Sequence, residues 1–132
     1  LDRVVLVGTS DGLIANIPAE YSSRLVCFPE SKLGDRQAWQ EFYNMHLAHP
    51  IYISVDKDVL SPADDATNWA QGTTRLPQLK RLLVTLLHHN SLIGVDICGE
   101  CNYSIRGILD RNVQENDHVN AELLRIVSSA EY

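Results

Sequence analysis

The chain has 132 residues, 45% of them hydrophobic and 21% charged, and a formal charge of −6 from 11 Lys/Arg and 17 Asp/Glu. That length fits one domain of about 100–150 residues, and the apolar content excludes global disorder. No apolar run approaches the roughly 18 residues of a membrane span, and no Lys/Arg cluster offers the basic face that nucleic acid requires.

The chain opens at Leu1 on an apolar run, with no basic region followed by a hydrophobic stretch of the kind a secretory signal carries. Val4–Val7 reads as a first strand, and Thr9-Ser10-Asp11-Gly12 after it as a turn. Leu25–Phe28 reads as a second strand. A helix is expected from about Asp35 to His49, capped by Asp35, with Trp39, Phe42, Tyr43 and Met45 or His46 on its packing stripe and Pro50 ending it. Ile51–Val55 gives a third strand. Leu76, Leu79, Leu82, Leu83, Leu86 and Leu87 then form one apolar helical face, which Thr73 or Thr74 can cap and Pro77 enters within the first turn. Leu92–Ile97 is the fourth strand, Gly107–Asn116 reads as a polar loop, and a last helix should run from Asp117 or His118 to about Ala130. Its inward positions would be Val119, Leu123, Ile126, Val127 and Ala130.

Short β-branched strands alternating with helices predict an α/β domain with a small, largely parallel sheet covered on both faces. In such sheets ligands bind beyond the carboxyl ends of the strands. Asp56 and Asp58 stand where the third strand should end. In an extended chain, residues two apart project to one side, leaving Lys57 pointing away. Two carboxylates together suit a hard divalent cation such as Mg or Mn, although solvated or capping aspartates give the same dipeptide pattern. Asp96 and Glu100 should reach the same edge from the fourth strand. There a carboxylate can hold a cationic substrate or, for Asp96, orient a ligand from behind.

Ser54-Val55-Asp56-Lys57-Asp58, Pro62, Ala66-Thr67, Gly72, the leucine helix, and Gly94-Val95-Asp96-Ile97 followed by Glu100 and Asn102 resemble, in order, the second half of the ureohydrolases, the arginase and agmatinase family. Val5 to Asp11 is similar to an earlier strand of that family. The resemblance implies an arginase-like three-layer α/β sandwich with a mostly parallel sheet, present here over residues 1–132 as the carboxyl-terminal part of a larger domain. On that reading Leu1 is a cut.

It also implies a hydrolase that cleaves carbon–nitrogen bonds of guanidino or linear amidine substrates at a pair of Mn2+ ions. Ions about 3.5–4 Å apart would share a bridging hydroxide. By position Asp56 would bridge the ions, Asp58 would bind one, and Glu100 would hold the cationic group. Thr67 and Trp69 would lie on the substrate loop, with Ser54 and Asp96 behind the ligands. A cytoplasmic protein acting on a small cation, with neither nucleic acid nor membrane as partner, follows, as does homo-oligomer formation through an exposed sheet edge.

The sequence departs from the family pattern in three places. No His46, His49, His88, His89 or His118 lies in a His-x-Asp-x-x-x-Asp cluster, so four ligands would have to come from elsewhere and this chain alone would be inactive. Lys57 replaces an apolar residue, and Thr67-Asn68-Trp69-Ala70 replaces Thr-Gly-Thr-Pro, with one inserted residue shifting Glu100. Two other readings stand beside this one: a non-catalytic module of the same fold, and a redox domain using Cys98-x-x-Cys101. Gly107 after the cysteines disfavours the helix a redox motif opens, so Cys27, Cys98 and Cys101 read most simply as reduced thiols. His88 and His89, about 100° apart, suit the carboxyl end of a helix better than one metal ion.

Overall fold

The computed structural model describes residues 3–46, 49–102 and 110–129. They divide into two compact units, residues 1–46 and 47–132. The structure is mixed α/β with parallel strand pairing: β1 (Val4–Val7) pairs with β2 (Leu25–Phe28), and β3 (Ile51–Asp56) pairs with β4 (Leu92–Cys98). The four expected strands are present to within a residue at each end. They form two sheets of two strands rather than one sheet of four.

In the first unit, Thr9 to Gly12 does more than turn. Ser10 caps a short helix, α1 (Asp11–Ala15), its Oγ accepting from the Leu13 amide at 3.3 Å. Helix α2 (Arg36–His46) starts as expected, with Asp35 Oδ1 accepting from the amides of Gln37 and Ala38 at 2.9 and 3.1 Å. Phe28 of β2 meets Trp39 and Phe42 of α2 at ring-centroid distances of 4.2 and 5.3 Å, and Tyr43 stacks on Trp39 at 5.6 Å. Such rings combine large buried area with offset or edge contacts, which lets a small unit hold a core. The Trp39 indole N–H donates to the Leu33 carbonyl at 2.9 Å, so its one polar group is answered. The side chains of Met45 and His46, on the expected stripe, lie outside the described residues.

The second unit is a β–α–β arrangement backed by a further helix. Helix α3 (Leu76–His89) links the two strands, and α4 (Arg111–Ser128) follows β4. Ile53, Val55, Leu60, Leu79, Leu83, Val119 and Leu123 are its buried centre, with Leu76, Leu86, Leu87, Leu92, Val95, Ile97 and Ile126 packed against them. The leucine stripe and the inward face of the last helix are thus as the periodicity predicts; Ala130 lies outside the described residues.

Two boundaries differ. The start of α3 is capped by Gln78, whose Oε1 accepts from the Arg75 amide at 2.9 Å, and by Asp64, whose Oδ2 accepts from the Leu76 amide at 2.8 Å, not by Thr73 or Thr74. Asp64 also takes a two-pronged ion pair from Arg75, at 2.6 and 2.9 Å. Helix α4 begins at Arg111, with Asp110 Oδ1 accepting from the Asn112 amide at 2.9 Å, so residues 111–116 of the expected loop are helical. The expectation failed because Asn116, a polar residue, occupies an inward position one turn before Val119; it is 2% exposed.

Among the described residues, β3 and β4 are covered on one face, not two. Ile53 and Val55 point into the core while Tyr52, Ser54 and Asp56 are exposed; on β4, Asp96 and Cys98 are exposed with them. Pairing runs Ile51 to Leu92 and then Tyr52 to Gly94, which makes Ile93 the extra residue of a bulge. Ile93 is 69% exposed. Among the described residues, no helix is long and apolar enough to cross a membrane.

Candidate functional site

β3 does not stay extended through its acidic end. Asp56 Oδ1 accepts from the Asp58 amide at 3.1 Å, and that contact, an aspartate bonding the backbone two residues on, turns the chain into a 3-10 segment over Lys57–Val59. Asp56 and Asp58 are therefore paired across a capped turn, not along a strand. Asp56 is exposed, whereas Asp58 is partly buried and its Oδ1, shielded from solvent, has no hydrogen-bond partner. A carboxylate oxygen left bare in this way costs free energy until a donor or a cation meets it.

Gly99 brings the end of β4 onto the same turn. Its φ of +84° lies in the left-handed region, and an added Cβ would sit 2.9 Å from Asp56 Oδ1 and from the Lys57 amide nitrogen. Only glycine combines that backbone conformation with so close an approach. The following residue, Glu100, is carried over the turn.

Lys57 points inward, as its place between two outward residues predicts, but what it meets was not legible in its neighbours. It is 0% exposed. Its Nζ donates to Asn120 Oδ1 at 2.7 Å, Asn116 Oδ1 at 3.0 Å and Glu100 Oε1 at 3.0 Å, with Asp65 Oδ2 at 3.8 Å. Asn116 Nδ2 donates in turn to both Asp65 oxygens at 3.2 and 3.3 Å, and Asn120 Nδ2 to both Glu100 oxygens at 3.3 and 3.4 Å. Each asparagine accepts from the lysine and donates to one carboxylate. Burial pushes the Asp65 carboxyl above its usual value, with the Lys57 ammonium and Asn116 pulling it down. A sequence signal for this existed: Asn116 and Asn120 are spaced four apart beside Val113, Val119 and Leu123, on one helical face.

The loop after the turn is fixed by its backbone. Gly72 donates to the Asp58 carbonyl at 2.7 Å, Thr74 to that of Val59 at 3.1 Å, and Gln71 Nε2 to that of Asp65 at 2.8 Å. Thr67, partly buried, has an Oγ1 without a partner, while Trp69 is 73% exposed. Asn68 Oδ1 accepts from the Asn102 amide at 3.1 Å, tying the loop to the residues after β4.

Of the four acidic residues expected at one edge, Asp56 and Asp58 share the turn, while Glu100 is bonded to the inward-pointing Lys57 and to Asn120. Asp96 stands one ladder position back from Cys98, on the open face, accepting from its register partner Ser54 at 2.8 Å. It also bonds Tyr52, whose phenol is pushed above its usual value first by that hydrogen bond and then by the carboxylate charge. Among the described residues no group of three His, Cys, Asp or Glu side chains is placed to hold a metal ion. Asp56 and Asp58 can offer oxygens to one hard cation, and the bare Asp58 Oδ1 suits that use, but they do not complete a shell for two.

The thiols are free. Burial, then the charges of Asp56, Asp96 and Asp58, raises Cys98 above its usual value; burial is also the main cause of the rise at Cys101. Reactive thiols need the opposite shift.

No family model and no solved structure matches the chain. A Thermotoga maritima protein described as uncharacterized is 34% identical to it over 79 residues, which cover 58% of this chain and 29% of that protein. The chain thus spans less than a third of the length of the relative it matches.

Proposed function

We propose that this chain is part of a ureohydrolase-like enzyme, a metal-dependent hydrolase of guanidino or linear amidine carbon–nitrogen bonds, in which Asp56 and Asp58 are the ligands it contributes to a Mn2+ site. The observation that carries the reading is the turn itself: two carboxylates at the carboxyl end of a parallel strand, one with a buried oxygen that has no partner. The ordered motifs from Ser54 to Asn102 support the arginase-like three-layer fold. The open face of β3 and β4 leaves room for a further layer, and the remaining ligands belong to the rest of the protein. Bound there, Mn2+ would supply a hydroxide nucleophile at neutral pH. The chain's own part is to hold the two carboxylates in one turn and to place Thr67 and Glu100 beside it.

The test is a Mn2+ titration of this chain followed by calorimetry and electron paramagnetic resonance. The expected result is one weakly held ion, lost in Asp56→Asn. Two tightly bound ions would show that the chain needs no further ligands and would overturn the partial-site reading. Binding that is absent, or unchanged in Asp56→Asn, would remove the metal role. That last outcome would favour the second reading, a non-catalytic module of this fold.

A further inference from the structure

We infer that Lys57 is a positioning residue: through Asn116 and Asn120 it locks the Asp56–Asp58 turn to α4 and to Glu100, and it spends its charge inward so that Asp56 and Asp58 keep theirs. The inference goes beyond the hydrolase reading, because it concerns how the turn is held, whatever the turn binds.

The argument begins with donor counting. An ammonium has three N–H groups. The three nearest acceptors, Asn120, Asn116 and Glu100, lie at 2.7, 3.0 and 3.0 Å, so no proton remains for Asp56 or Asp58 on either side in the chain. The amide groups then close two loops, Lys57–Asn116–Asp65 and Lys57–Asn120–Glu100. Two asparagines one helical turn apart thereby divide one cation between two carboxylates. With Asp65 also fully buried and Glu100 half-exposed (53% of its side chain), the lysine's positive charge is answered twice from within.

That partition changes what Glu100 can do. Its Oε1 accepts from both Lys57 and Asn120, which occupies that oxygen's lone pairs, while Oε2 takes only a longer bond from Asn120 at 3.4 Å. A forked guanidinium grip needs both oxygens. Glu100 is therefore first the counter-ion that completes the Lys57 clamp, and any cation it meets from solvent is met through one oxygen. Gly99 lies against the same turn from the end of β4, where an added Cβ would come within 2.9 and 3.1 Å of the Lys57 and Asp58 amide nitrogens.

Native-state amide hydrogen exchange on the whole chain tests the inference. The probes are the amides whose bonds define the turn and its loop: Asp58 to Asp56 Oδ1, Leu60 to the Lys57 carbonyl, and Gly72 to the Asp58 carbonyl. Asn120→Ala removes one arm of the clamp from a partly buried position on α4. It is expected to speed exchange at these three amides about tenfold relative to the core amides of Leu83 and Leu123, the loss expected for a hydrogen bond to a charged group. A merely structural contribution would lower protection at all five equally, and that result, or no change at Asp58, would overturn the inference. Lys57→Met should give a larger selective change in the same amides; if that variant does not fold, Asn120→Ala still decides the matter.

Discussion

The two faces of the β3–β4 pair handle charge in opposite ways. Under the covered face, Lys57, Asp65 and Glu100 are joined by Asn116 and Asn120, and each side-chain oxygen of that network has a donor. At the open face and its carboxyl end, Asp56 accepts from the Asp58 amide, Asp96 from Ser54 and Tyr52, and Asp58 Oδ1 from no described group; none of the three forms an ion pair with a described residue. Buried charge must be paired, so the covered network is a condition of folding. Charge left open near water can persist unpaired, and there it is available to a ligand. One strand end thus carries both kinds of aspartate environment within ten residues.

Lys57→Met is the strongest way to break that contrast. It leaves Asp65, wholly buried, without its cation, and should cost about 3–5 kcal/mol in urea unfolding. Asp56→Asn, on the open side, should cost under about 1 kcal/mol, because an asparagine oxygen still accepts from the Asp58 amide. Equal losses in the two variants would show that the faces do not differ as described. Next in size is Gly99→Ala, which puts a Cβ into the left-handed region and within 2.9 Å of Asp56 and Lys57. A loss of about 2 kcal/mol is expected. A stability equal to the parent's would mean that β4 does not lie against the turn.

Strand positions were legible because β-branched runs such as Ile51–Val55 are short and bounded, and α3 because its leucines repeat at helical spacing. The asymmetry of the strands was not. Leu92-Ile93-Gly94-Val95 looks uniformly apolar, and a bulge at Ile93 cannot be read without its partner strand. The Lys57 network was hidden for a different reason. Its acceptors lie 43, 59 and 63 residues further along the chain, and a polar residue such as Asn116 inside an inward stripe reads as loop. Asp56 and Asp58 were found from their spacing, yet their geometry, a turn capped by Asp56, depends on a backbone bond that spacing does not determine.

Two adjacent carboxylates carry the contrast into pH dependence. Asp64 is held below its usual value of 3.8, first by the Arg75 guanidinium, whereas burial lifts Asp65 above the same value. A depressed carboxylate stabilises the fold above its unfolded pKa, and that contribution is lost as pH falls through the folded value. A raised one works the other way: its contribution is complete below about 3.8 and is lost as pH rises through the folded value. Urea midpoints measured from pH 6 to pH 3 should therefore fall less steeply in Asp64→Asn than in the parent, and more steeply in Asp65→Asn. The same slope in both variants would mean that the two environments are alike. Glu122, lowered first by its hydrogen bond from Lys80, adds to the fall in both.

Ile93→Ser is expected to have the smallest effect, and its size bears on the open face itself. Ile93 sits at the bulge with most of its surface in water, so a polar replacement removes little buried area and should change stability by no more than about 0.5 kcal/mol. The same substitution at a covered position such as Ile53 would lose the transfer energy of a whole side chain, on the order of 2–5 kcal/mol. A large loss at Ile93 that grows with protein concentration would mean that copies of the chain cover this face in solution, since stability coupled to association rises with concentration. A large loss independent of concentration would place Ile93 under other parts of the same chain. A small loss at every concentration leaves β3 and β4 with one face free, with Tyr52, Ser54 and Asp96 as its polar surface.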